Sequence, residues 1–318
     1  MSMRFVRAFL SSTAVLSLAA VSLSAQSKDA KKDPDQIGNR EVDKGLNWYS
    51  IEKEIAMGKA YAQQIQKQAQ VVDDPVISEF VNRLGQNLAR NSDSKIPMTF
   101  KVIRDDSPNA ISIPGGFCFV NTGLILTAAT EAELVGGMAH EIGHIAARHA
   151  TRTMTRQQVG QLATIPLIFM GGWAGYGARQ GAGALLPFGF LHFDRAFESE
   201  ADLLGLEYMY KTGYDPEGMV DIFEKLDALN KRKTGKVSQL FADHPLTGDR
   251  IVTAQKNIQE YLKARPEYVV TTWEFDEVKA RLQAMEHRRK PTLQDDPNRP
   301  QLRRRPEQLN ERNLKAGL

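Results

Sequence analysis

Residues 130–152 read TEAELVGGMAHEIGHIAARHATR, and this stretch decides the architecture. Thr130 with Glu133 three residues on is a capping box, in which hydroxyl and carboxylate satisfy orphan amides at a helix start. Leu134, Val135, Met138, Ile142 and Ile145 follow at helical spacing, so one helix over 131–152 is predicted. His140 and His144 are four apart and leave that helix on one face, the spacing that one Zn²⁺ needs. Glu141 stands beside them to work on the attacking water. A reactive zinc site takes a third protein ligand and keeps one position open. His149 lies nine residues beyond His140, about 900° around a continuous helix, which excludes it as that ligand. The metzincin pattern fails as well, because Ala147 and Ala150 stand where its glycine and third histidine belong. Cys118 is the single cysteine, so thiolate ligation and an intramolecular disulfide are both excluded. A downstream carboxylate or histidine is required.

RAFESEADLLG, residues 195–205, offers carboxylates. Glu198 and Asp202 share one helix face, while Glu200 points about 200° away from Glu198. One of the pair can bind metal while the other receives the free N–H of a ligand imidazole.

Working outward, residues 50–92 read as two helices broken at Asp73-Asp74-Pro75. Ile55, Ala56, Met57 and Tyr61 begin one apolar face, and Phe80, Leu84 and Leu88 form the next. Over 98–126 the period changes to that of strands: MTFKVI, then two β-rich runs around Pro114-Gly115-Gly116. Cys118 falls in the second run, where a small buried hydrophobe is the default. Residues 157–178 carry no charge and are rich in apolar side chains, but Pro166 and several glycines dilute them. This segment is expected to be a hydrophobic flap near the cleft, with 157–191 offering a peripheral membrane contact.

The whole chain has 318 residues, 42% hydrophobic and 25% charged, an ordinary globular balance that excludes a wholly disordered protein. Net charge is +3, too even to imply a nucleic-acid partner. The excess belongs to the ends. Residues 287–318 hold nine Lys/Arg against four Asp/Glu and few large apolar side chains, so a basic, disordered tail is expected. Residues 1–25 pair Arg4 and Arg7 with an uncharged Ala/Leu/Val/Ser run and small residues near Ser22–Ser27. That is the pattern of a cleaved export signal, which implies a periplasmic or secreted protein. A polar linker over 26–48 and one domain over 49–286 complete the expected organisation.

With both metal segments in view, HEIGHIAARH followed by FESEAD resembles the gluzincin zinc metallopeptidases of the HtpX, CAAX-prenyl-protease and BepA type, peptidase family M48. The resemblance runs from about Tyr49 to Leu282 and takes in IEKEIAMGKAYAQQI, VVDDPVISEFVNRLGQNLA, NAISIPGGFCFVNTGLI and DHPLTGDRI. It implies an α+β fold: a mainly helical, zincin-like domain with a small sheet and the HExxH helix. It implies one Zn²⁺ per chain held by His140, His144 and Glu198, with Asp202 orienting a ligand and Glu141 as general base. Asn109-Ala110 resembles the start of the strand that bounds the cleft, where an extended substrate would add to the sheet edge. His244 and Arg250 match the late His-Pro segment. There His244 is either a donor to the developing oxyanion, with Arg250 as a second cationic donor, or a cap on zinc that holds the enzyme inactive. The implied activity is endopeptidase cleavage of unfolded or misassembled envelope proteins. The competing reading is a latent protease that acts mainly as a periplasmic chaperone.

Overall fold

The computed structural model describes residues 32–168, 193–232, 244 and 248–289. The expected export signal, the basic tail from 290 onward and the 169–192 part of the apolar segment lie outside them.

Helix α1 (Ile51–Gln68) starts where the Ser50 side chain accepts from the Lys53 N–H. Helix α2 (Pro75–Arg90) starts where Asp74 accepts from the Val76 and Ile77 N–H groups, with Pro75 at its first turn. Phe80, Leu84 and Leu88 are buried, as their spacing predicts. On α1 the buried line is instead Glu54, Gly58 and Ala62; Ala56 is exposed, and Ile55, Met57 and Tyr61 are only half-buried.

Three strands follow: β1 (Thr99–Ile103), β2 (Ala110–Ile113) and β3 (Phe117–Asn121), in sheet order β1-β3-β2. β1 runs parallel to β3 with Thr99 opposite Phe117, and β2 runs antiparallel to it with Ala110 opposite Val120. Gly115 and Gly116 turn the β2–β3 hairpin at φ 81° and 86°, a region glycine enters without steric cost. A Cβ on Gly115 would also fall 2.7 Å from the Ile55 Cα of α1. The second β-rich run is shorter than its composition predicts. After Asn121 the chain turns into helix α3 (Thr122–Thr127), burying Leu124 and Ile125 in the core. Cys118 is buried on β3 and its thiol is pushed up, by burial first and by the charge of Glu141 second.

Helix α4 (Glu131–Ala146) is the centre of the molecule, and every residue of it except Gly137 is buried. Such a helix needs neighbours on all sides. It packs against α6 (Arg195–Thr212), α7 (Glu217–Arg232), α2 and β2. The Thr130 hydroxyl accepts from the Glu133 N–H as the capping box requires. The reciprocal bond differs: the Glu133 carboxylate accepts from the Ala129 N–H and from Lys225. The predicted single helix to residue 152 is interrupted. α4 ends at Ala146, Arg148 adopts φ 55°, and α5 (His149–Ile168) starts in a new direction. Residues 157–168 of the apolar segment therefore continue a helix. Helices α8 (Gly248–Tyr261) and α9 (Trp273–Arg289) close the fold, α8 against α6 and α7, α9 against α2 and α3. No helix of the described residues is long and apolar enough to cross a membrane.

Part of the expected polar linker is packed against the domain, while Leu46 and Trp48 stay exposed. Arg40 is buried between Asp93 at 2.9 Å and Glu207 at 2.6 Å, and Val42 joins the core. A charge this deep is tolerated because two carboxylates meet it. Burial leads in pushing the Glu207 carboxyl up to about 7, with the Asp93 charge adding to it against the pull of Arg40.

Candidate metal centre

Two helices build the site. α4 presents His140 and His144 one turn apart, and α6, started by Asp194 accepting from the Phe197 N–H, presents Glu198 and Asp202 one turn apart. Gly143 allows the helices to approach closely, since a Cβ there would lie 2.7 Å from the Ala201 carbonyl oxygen. His140 Nε2 and His144 Nε2 are 3.0 Å apart. Glu198 completes the triangle, with one oxygen 3.5 Å from His140 Nε2 and the other 3.5 Å from His144 Nε2. His244 comes from a different part of the chain, and its Nδ1 lies 2.8 Å from Glu198 Oε1 and 3.4 Å from His140 Nε2. Donor atoms of His140, His144, Glu198 and His244 all fall within 4.8 Å of one another, a set that fits a bound metal ion.

The surrounding groups fix which ring atoms are free to ligate. Asp202 Oδ1 is 2.9 Å from His140 Nδ1 and places the proton there, leaving the His140 Nε2 lone pair toward the cluster. Arg250 holds Asp202 in turn, donating from Nε at 2.9 Å and from Nη2 at 2.7 Å. Its Nη1 lies 2.7 Å from Glu198 Oε2. Burial, the largest influence on Asp202, works to raise its carboxyl, but Arg250 and His140 together keep it below the usual range. The His144 imidazole is held well below its usual range, by burial first and then by the neighbouring His140, His244 and His149 rings and Arg250. It is therefore neutral, the form that binds metal. Converging lone pairs and a carboxylate at these separations call for a cation among them. Nitrogen and carboxylate oxygen donors of this kind suit zinc.

Glu141 points across the cleft. Its Oε2 accepts from the Ser112 N–H at 2.8 Å and the Ser112 hydroxyl at 2.6 Å, and its Oε1 is 3.5 Å from His244 Nε2. Ser112 is a residue that sequence reasoning missed, since a serine in a short strand carries no chemical signal. It lies on β2, a terminal strand of the sheet, which begins at Ala110, one residue after Asn109. A cavity of about 40 Å³ opens between that strand and the site, walled by Asn109, Ala110, Leu124, Phe223 and Leu226 with His140, Glu141 and His244 at its polar side.

Arg250 stands in the cluster, where its nitrogens face the carboxylates of Asp202 and Glu198. One expectation changes. His149 is not on the far side of the helix. The reversal at Arg148 brings its Nδ1 to 2.9 Å from His144 Nδ1, and Glu200 lies behind it at 3.0 Å.

A family model described as peptidase family M48 matches residues 77–258. Beta-barrel assembly-enhancing protease of Escherichia coli (strain K12) is 32% identical over 244 residues, covering 74% of this chain and 49% of that protein. The protein of the same name from Yersinia pestis is 32% identical over 225 residues, 68% of this chain and 46% of the relative. Mitochondrial metalloendopeptidase OMA1 of Schizosaccharomyces pombe is 31% identical over 185 residues, 58% and 52%. The chain thus spans about half the length of the curated relatives it matches.

Proposed function

The chain belongs to peptidase family M48, and from that premise we propose that it is an exported zinc-dependent endopeptidase acting on unfolded or misassembled envelope proteins. The observation that carries this reading is the convergence of His140, His144 and Glu198 with Glu141 beside them. His140, His144 and Glu198 would hold a zinc ion, which would supply Lewis acidity to lower the pKa of water and polarise a carbonyl. The chain's own residues do the rest. An extended peptide lies along the β2 edge from Asn109, held through main-chain hydrogen bonds and therefore with loose sequence preference. The apolar cavity beside Glu141, walled by Leu124, Phe223 and Leu226, takes a side chain next to the scissile bond. Glu141, released from Ser112, removes a proton from the attacking water and returns it to the leaving amine. Asp202 keeps the His140 proton on Nδ1, and Arg250 keeps Asp202 in place.

For His244 the latch is the better of its two roles. Its ring reaches into the ligand cluster, 2.8 Å from Glu198 and 3.5 Å from Glu141, which is the position that water and substrate need. The enzyme is then latent and must move His244 to turn over. The names of the bacterial relatives suggest β-barrel proteins in assembly as the substrate class. The second reading, a mainly chaperone-like protein, draws on the same latch. Casein turnover by purified protein, with and without added zinc, tests the peptidase. His244→Ala is expected to cut casein faster than wild type. A hundredfold slower rate at unchanged zinc content contradicts the latch and returns His244 to an oxyanion role.

A further inference from the structure

We propose that His149 and Glu200 form a positioning relay for His144, the counterpart of what Asp202 does for His140. The inference rests on the metal reading above and concerns how one ligand of that site is held.

With both imidazoles neutral, the geometry leaves one proton arrangement. An ionised Glu200 only accepts, so its 3.0 Å contact places a proton on His149 Nε2. His149 Nδ1 is then an acceptor, and the 2.9 Å contact to His144 Nδ1 must be filled by a proton on His144. That leaves the His144 Nε2 lone pair facing Glu198 and His140. The relay is built, not incidental. His149 is fully buried and stacked on Phe197 with ring centroids 4.2 Å apart. Phe193 stacks on His144 from the other side at 4.3 Å. Arg152 lies over Phe197 and reaches Glu200 at 3.3 Å.

Bringing His149 to this place requires breaking the helix, and the structure accepts strain to do so. Arg148 sits at φ 55°, a region unfavourable to non-glycine residues. Its side chain secures the corner, donating from Nε to Glu54 at 2.8 Å and from Nη2 to the Tyr49 carbonyl at 2.6 Å. Thr151 donates to the same Glu54 oxygen. Strain held by this many bonds is a mark of a position with a task. The two ligand histidines are thereby supported unequally. His140 Nδ1 lies 2.9 Å from a carboxylate clamped by an arginine. His144 donates to a neutral imidazole, a weaker acceptor whose carboxylate is partly open to solvent.

The test is the zinc dissociation constant of the full chain, by competition with a chromogenic chelator, alongside thermal unfolding of the metal-free protein. His149→Leu fills the volume but cannot accept, and is expected to weaken zinc binding about 10–100-fold. His149→Asn places a carbonyl oxygen near the position of Nδ1 and is expected to recover most of that affinity, while unfolding at a lower temperature than His149→Leu because it leaves a cavity. This inverse order of stability and affinity is what packing alone cannot produce. Glu200→Ala, at a partly exposed site that does not threaten folding, should weaken zinc about 10-fold by freeing the His149 tautomer. Wild-type affinity in both His149→Leu and Glu200→Ala overturns the relay, as do losses that merely track melting temperature. Wild type that binds no zinc overturns the metal reading itself.

Discussion

Gly143→Ala is the smallest change that tests how the site is assembled. The added methyl would sit 2.7 Å from the Ala201 carbonyl oxygen and 3.1 Å from the Ala201 Cα. Ordinary contact begins at 3.4 Å, so α6 must retreat by about 0.7 Å. Glu198 and Asp202 flank Ala201 on that helix and retreat with it. Metal–ligand distances tolerate only about 0.2 Å, so the displaced carboxylate loses its place in the coordination set. Overpacking costs about 1–3 kcal/mol, of which the better helix propensity of alanine returns about 1 kcal/mol. The variant should therefore fold with slightly reduced stability, bind zinc at least about 10-fold more weakly and lose about 10²-fold in turnover. Gly160→Ala on α5 is the control. Nothing lies within 4 Å of a Cβ there, so the change should stabilise by up to about 1 kcal/mol and leave zinc binding alone. Urea unfolding and chelator competition read both quantities. Unchanged zinc affinity in Gly143→Ala would refute the argument that the closeness of α4 and α6 sets the metal geometry.

Three further outcomes are expected. Glu198→Ala should lose zinc outright while Asp202→Ala weakens it by about 10–100-fold, measured as metal content after dialysis; equal zinc in wild type and Glu198→Ala redirects the search for the third ligand. In the metal-free chain, burial is the largest influence on the His244 imidazole and lowers it, but the Glu141 and Glu198 carboxylates outweigh burial and raise it to about 9. A raised histidine stabilises fully below its unfolded value of about 6.5, and this contribution is lost as pH climbs through about 9. Urea titrations at pH 6 and pH 9.5 should thus differ by up to about 3 kcal/mol from this group, a difference that His244→Ala removes; an equal difference in the variant contradicts the assignment. Export predicts a mature N-terminus between Ser22 and Lys28 in the envelope fraction, and N-terminal sequencing that finds Arg4 and Arg7 retained argues for an uncleaved anchor.

Much of the site was legible because its chemistry is written at helical spacing. His140 and His144, and Glu198 and Asp202, are i, i+4 pairs, and the two pairs face each other across one helix interface. Phe80, Leu84 and Leu88 were equally plain, because a single buried face dictates its own period. What escaped the sequence are features that depend on a local break or on tertiary contact. An Ala-Ala-Arg stretch promises continued helix, and only Glu54 and Tyr49, some hundred residues away in sequence, explain why Arg148 turns. That one dihedral moved His149 from the far side of the helix to the back of His144. Ser112 was invisible because its role depends on which side chain lies across from β2. The packed stretch around Arg40 read as linker because its partners, Asp93 and Glu207, are distant in sequence. Composition near residue 123 favoured strand, yet Gly123 and Leu124 turn into α3, where burial of Leu124 and Ile125 outweighs β propensity.

In the proposed mechanism Glu141 carries the proton while His140, His144 and Glu198 carry the metal. Zinc content and casein hydrolysis, measured together on Glu141→Gln, address it most directly. About one zinc per chain with hydrolysis abolished is the expected result. Zinc lost from that variant, or casein still cut by it, contradicts the division of roles.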